Sequence, residues 1–117
     1  MNIKVIREFY GLSQGQLSKK YNIPLMTIKH WEAKDFAPTE YTLKFLRRFI
    51  EANETKECIV PEQTIRELRM LLGITRIDIS KRYNIPIRTI EDWESGRRTP
   101  PKYLEDAIKY CIKEDYK

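Results

Sequence analysis

Apolar residues recur along this chain at steps of three and four, interrupted at short intervals by Gly, Asn and Pro. That period lines one face of a succession of short helices. Ile3, Ile6 and Tyr10 form the first face, with Asn2 placed to cap the helix and Gly11 to stop it. Ser13 caps a second helix that turns Leu17 and Tyr21 inward. Asn22 tolerates the left-handed conformation of a tight turn, and Ile23 points back to the core. Pro24 opens a third helix, where its missing N–H does no harm, and that helix buries Ile28 and Trp31. After residues 33–38 a fourth helix runs to about Asn53, with Tyr41, Phe45 and Phe49 on one stripe and Leu46 and Ile50 beside it.

The same succession then returns. Ile65, Leu68 and Leu72 form a stripe that Gly73 stops, with Pro61 at or near the start of that helix. Thr75 caps the next helix, which turns Ile79 and Tyr83 inward; Asn84 makes the turn, and Pro86 opens a helix that buries Ile90 and Trp93. Gly96 ends it, and Thr99-Pro100-Pro101 starts a last helix that runs to about Lys113. No stretch alternates long enough to argue for a strand, so the fold is expected to be all-α.

The recurrence is literal. A shift of 62 residues pairs Asn2 to Glu51 with Thr64 to Lys113 without a gap, and 16 of the 50 pairs are identical. Unrelated sequences would give roughly three. The clearest part is Lys19 to Glu32 against Lys81 to Glu94. A period near 60 residues indicates two small domains of one fold rather than a solenoid. The expected division is a first domain over 1–54, a linker over 55–61 and a second domain over 62–117, about four helices each. Domains this small sit near the lower limit for folding alone, so they should pack on each other or on a partner. The eight residues 54–61 reach at most about 28 Å, which keeps the two domains near neighbours.

Composition narrows the function classes. Of 117 residues, 41% are hydrophobic and 33% charged, which suits a soluble globular protein. The net charge is +5, a weak argument for an anionic partner. Residues 1–57 hold ten basic and seven acidic side chains, residues 58–117 twelve and ten, so the excess is shared and there is no basic tail. No apolar run approaches the ~20 residues needed to span a bilayer, and the N-terminus lacks a signal-peptide core. The chain is therefore expected in the cytoplasm, with Cys58 and Cys111 reduced and Cys111 on a core-facing position. His30 is the single histidine. No Gly-rich phosphate loop, paired-carboxylate cleft or metal-ligand cluster accompanies it, so neither an enzyme nor a cofactor is expected.

In both repeats a second helix, a short turn and a third helix are followed by Trp-Glu. Tyr-Asn-Ile-Pro makes the turn, and a small residue, Ser18 or Ser80, stands three positions before it in each copy. Trp93-Glu94-Ser95-Gly96-Arg97-Arg98-Thr99-Pro100 leaves the third helix. Each repeat resembles the Cro/C1/XRE-type helix-turn-helix domain of phage and bacterial repressors. The resemblance implies two tandem lambda-repressor-like domains. Repeat one departs from the pattern at the exit, where Lys34 replaces the glycine and Asp35-Phe36 the basic pair. The family pairs an arginine on helix one with the glutamate closing helix three. Arg7 with Glu32, and Arg69 with Glu94, occupy those places and should orient the third helix.

The resemblance also implies a partner and a site. A helix fits the major groove of double-stranded DNA, and residues near its N-terminus reach base edges. The implied base contacts are Leu25, Met26, Lys29 and His30 in repeat one, and Ile87, Arg88, Glu91 and Asp92 in repeat two. Arg88 can bind guanine through two hydrogen bonds, worth roughly 1–3 kcal/mol of discrimination. Lys29 offers a single-point donor, and Leu25 and Ile87 apolar contact with thymine methyls. Glu91 or Asp92 can accept from a cytosine amino group, although carboxylates also repel phosphates. The implied phosphate contacts are Gln14 and Arg76 at the start of helix two, the amides at Ser13 and Thr75, and Lys34, Arg97 and Arg98 past helix three.

Two recognition helices in one chain suggest an intramolecular counterpart of a repressor dimer on an asymmetric operator, with half-sites about 34 Å apart. A homodimer in which each chain uses one copy is the other arrangement. The competing function is a protein-binding module, such as an antitoxin half, a phage-type inhibitor or an adaptor. The acidic residues on helix three of repeat two and the apolar Leu25-Met26 suit it.

Overall fold

The computed structural model describes residues 2–56 and 58–117. Among them are eight α-helices and no strand, so the fold is all-helical. The chain divides into two compact units, Met1–Glu57 and Cys58–Lys117.

The first unit holds α1 (Ile3–Phe9), α2 (Gln14–Tyr21), α3 (Leu25–Ala33) and α4 (Glu40–Thr55). Its helix starts are made by the residues the pattern marks. The Asn2 side chain accepts from the Val5 amide, and Ser13 and Gln16 form a capping box at α2. Asn22 takes φ +60, which closes α2 and lets Ile23 turn into the core. α3 packs on α1 and α2, and α1 on α4. Between them Ile3, Ile6, Leu17, Ile23, Ile28, Phe45, Leu46 and Ile50 are removed from water, each worth roughly 1.5–3 kcal/mol.

The second unit repeats the order with α5 (Ile65–Leu72), α6 (Arg76–Tyr83), α7 (Ile87–Ser95) and α8 (Lys102–Asp115). Capping boxes Thr64–Glu67 and Thr75–Asp78 start α5 and α6, and Gly73, Asn84 and Gly96 close three helices at positive φ. Ile65, Leu68, Ile79, Ile85, Ile90, Leu104, Ala107, Ile108 and Cys111 are buried.

Two bonds recur in both units and tie the second helix to the rest of its unit. The Ser18 hydroxyl donates to the Ile23 carbonyl at 2.5 Å, and Ser80 to Ile85 at 2.6 Å. A short side chain here is thus also a hydrogen-bond donor that pins the turn. Tyr21 donates to Glu54 and Tyr83 to Asp115, both at 2.6 Å, joining the second helix to the end of the fourth. Burial and the bond to Asp115 push the Tyr83 phenol well above its ordinary pKa, so it remains the donor.

Several expectations shift in detail. Pro24 and Pro86 are N-caps, one residue outside the helices they introduce. Trp31 and Trp93 are half-buried rather than enclosed, as are Tyr10, Tyr41, Leu72 and Tyr83. The third helices, nine residues each, are too short to cover a tryptophan ring on every side. Pro61 is buried and lies three residues ahead of Thr64, whose capping box sets the start of α5 at Ile65. The last helix of each unit runs two residues further than expected, to Thr55 and Asp115.

Candidate nucleic-acid interface

The third helix of each unit is held by one guanidinium. Arg7 Nε and Nη2 donate to Glu32 Oε2 and Oε1 at 2.9 and 2.8 Å, while Nη1 donates to the Leu12 carbonyl at 2.9 Å. Arg69 repeats this on Glu94 at 2.8 and 2.9 Å, with Nη1 on the Ile74 carbonyl at 3.1 Å. One planar fork therefore fixes the angle of the third helix and the turn between the first two. The hydrogen bonds from Arg7 hold the Glu32 carboxyl below its usual range. Burial works to raise the Glu94 pKa, but the bonds from Arg69 and Arg76 outweigh it, and the net direction is down.

The residues expected to meet phosphate fall into two groups. The first belongs to this internal network. Gln14 Nε2 donates to Glu32 at 3.1 Å, and Arg76 Nε donates to Glu94 at 3.0 Å. The Arg76 side chain stays 43% exposed, so its guanidinium lies at the surface while its Nε serves the fold. The amides of Ser13 and Thr75 donate inside their own capping boxes, to Gln16 and Asp78, at 2.8 Å each. The second group is open. Lys34, Arg97 and Arg98 are exposed just past the third helices. The Arg98 amide donates to the Asp92 carbonyl at 3.2 Å and the Arg97 amide to Ser95 Oγ at 3.4 Å, which anchors that basic pair to the end of α7.

The residues expected to meet bases also divide. Leu25, Met26 and Lys29 on α3 are exposed, as are Ile87, Arg88 and Glu91 on α7. His30 is partly covered: its Nδ1 lies 2.8 Å from Asp35 Oδ2, and its ring stacks on the exposed Phe36 at 5.1 Å between centroids. Asp92, read from the sequence as a base-edge acceptor, keeps 13% of its side chain exposed and takes a hydrogen bond from Arg88 Nε at 3.3 Å. Its partner Arg88 is 68% exposed.

Three features escaped the reading of the sequence. The Arg88–Asp92 pair was written there in its spacing of four, which sets two side chains on one helix face. The Ser18 and Ser80 bonds had no local signal, because their acceptors lie across a turn. Neither did the Phe36 stack, which needs the left-handed Lys34 (φ +65) to swing Phe36 back toward His30.

Residues 65–110 match a family model described as helix-turn-helix. The match spans α5, α6 and α7 and most of α8, and it supports a Cro/C1/XRE-type helix-turn-helix in the second repeat. Neither the curated proteins nor the solved structures contain a match to the chain. Among the described residues no helix is long and apolar enough to cross a membrane, and no group of His, Cys, Asp and Glu could hold a metal ion.

Proposed function

We propose that this chain is a sequence-specific double-stranded DNA-binding transcriptional regulator, repressor-like, that uses two recognition helices, α3 and α7. The observation that carries the reading is the second unit. Its residues match the helix-turn-helix family, its third helix is locked by the Arg69–Glu94 fork, and Arg97 and Arg98 flank the helix that would enter the groove. The first unit has the same fork and the same exposed first turn of its third helix. Two reading faces with different residues would select an asymmetric operator, one chain covering both half-sites.

Selection of bound fragments from random duplex DNA at moderate salt tests this directly. An asymmetric two-part site is the expected outcome, and protection of a single half-site per chain overturns the two-helix reading. R97Q/R98Q should flatten the dependence of log K on log salt by about 1.8, two phosphate contacts at about 0.9 each. Arg76 is unsuited to such a test, because it also supports Glu94.

A protein-binding role is the second reading. It is favoured by the first unit, where Leu25, Met26 and Phe36 are exposed and Asp35-Phe36 stand in place of the basic pair. Binding that is insensitive to salt and to R97Q/R98Q would support it over DNA.

A further inference from the structure

Arg88 and Asp92 stand one turn apart on α7, joined by the Nε–Oδ1 hydrogen bond of 3.3 Å. Helix stability does not explain the pair. The base lies in the first turn and the acid toward the C-terminal end, opposite to what the helix dipole favours, and base-before-acid is the weaker order at this spacing. What the bond does is restrain the guanidinium at its Nε edge. With Nε committed to Asp92, the two Nη groups remain as the donors of a side chain that is 68% exposed. Together they offer two parallel N–H donors. That pair matches the N7 and O6 acceptors that guanine alone presents side by side in the major groove.

We infer that Asp92 is a positioning residue that holds Arg88 end-on for a guanine, so that the half-site under α7 must contain a guanine at that position. The inference rests on the DNA-reading function proposed above. It also gives Asp92 a role that does not require the carboxylate to touch DNA, which its coverage and its repulsion of phosphates both disfavour. The corresponding positions in the first unit are Met26 and His30, and there His30 turns to Asp35 instead. No such steered donor stands on α3.

The test uses the full chain and a duplex taken from the random-DNA selection. Each guanine in turn is replaced by 7-deazaguanine, which removes the N7 acceptor. One replacement should weaken wild-type binding about tenfold, and R88A should abolish that penalty. D92A should cut the penalty to about twofold or less while leaving the salt dependence unchanged. D92N, which keeps an oxygen acceptor, should retain most of it. Far-UV circular dichroism and thermal unfolding of each variant establish that the fold is intact. A merely structural Asp92 would lower affinity for both duplexes and leave their ratio alone. An undiminished penalty in D92A, or a penalty that survives R88A, overturns the inference. Selection of duplexes with no guanine-sensitive position overturns it without touching DNA binding. Failure to select any duplex removes the DNA reading itself, and this inference with it.

Discussion

The two units share a scaffold and differ at its working edge. Both lock the third helix with an arginine fork, both pin the turn with a serine, and both close the second helix with a left-handed asparagine. At the start of the second helix, however, a neutral Gln14 leans on Glu32 where a cationic Arg76 leans on Glu94. At the end of the third helix, Lys34 holds φ +65 where Gly96 holds φ +80. Beyond that point Asp35-Phe36 fold back on His30, whereas Arg97-Arg98 stay exposed. The cores differ too: buried Phe45 and Phe49 of the first unit stand where the second has buried Ala107 and Cys111, a change of volume that each unit absorbs in its own packing. The differences on the outer faces answer to whatever each unit meets.

The largest effect should come from the buried carboxylates. Glu32 and Glu94 keep only 8% and 3% of their side chains exposed. E32Q or E94Q keeps one oxygen acceptor but removes the charge that the guanidinium fork engages, a loss of about 1.5–3 kcal/mol for a part-buried pair. E94Q should exceed E32Q by about 0.5–1 kcal/mol, discounted because Arg76 is partly exposed. Each unit holds one tryptophan, so urea melts of W93F and W31F backgrounds read the units separately. Equal losses would remove the distinction between Gln14 and Arg76.

Acid should act on both units through carboxyls held below their ordinary range. The carboxyls of Glu32, Glu54 and Glu94 all have folded pKa values below the ordinary 4.5. Hydrogen bonds from Arg7 dominate at Glu32. At Glu54 and Glu94 burial opposes the shift and is outweighed by bonds from Lys20 and Tyr21, and from Arg69 and Arg76. A lowered folded pKa contributes stability that is complete above the ordinary value and is lost as pH falls through the folded one. Both tryptophans should therefore report constant stability from neutrality to about pH 5 and a progressive loss below about pH 4.5. A flat profile down to about pH 2 would show that these bonds contribute nothing net.

The smallest effect sharpens the comparison most. A non-glycine residue in the left-handed region is strained by roughly 1–2 kcal/mol, part of which glycine returns as lost chain entropy. Exchanging the caps should therefore move the units in opposite directions. K34G should stabilise the first by up to about 1 kcal/mol, and G96K should destabilise the second by about 1 kcal/mol. A Cβ at Gly96 meets nothing within 4 Å, so backbone strain alone sets that cost. Destabilisation by K34G would mean that Lys34 contributes more to the first unit than its backbone costs.

Much of this was legible beforehand because helical periodicity, caps and stops are local. Asn2, Ser13, Thr75, Asn22, Asn84 and Gly96 each act within a few residues of themselves, so their roles follow from the order of letters. The Arg7–Glu32 and Arg69–Glu94 pairs are 25 residues apart, and they were accessible through the repeat and the family resemblance rather than through spacing. The sequence by itself determined eight short helices, two matched copies and the apolar residues that hold them. Only the tertiary structure decided that Gln14 and Arg76 face Glu32 and Glu94, and that Tyr21 and Tyr83 reach Glu54 and Asp115. The physical reason is that a polar side chain near a surface can satisfy its hydrogen bonds inward or outward. Which way it turns depends on partners brought within about 3 Å by the packing of other helices.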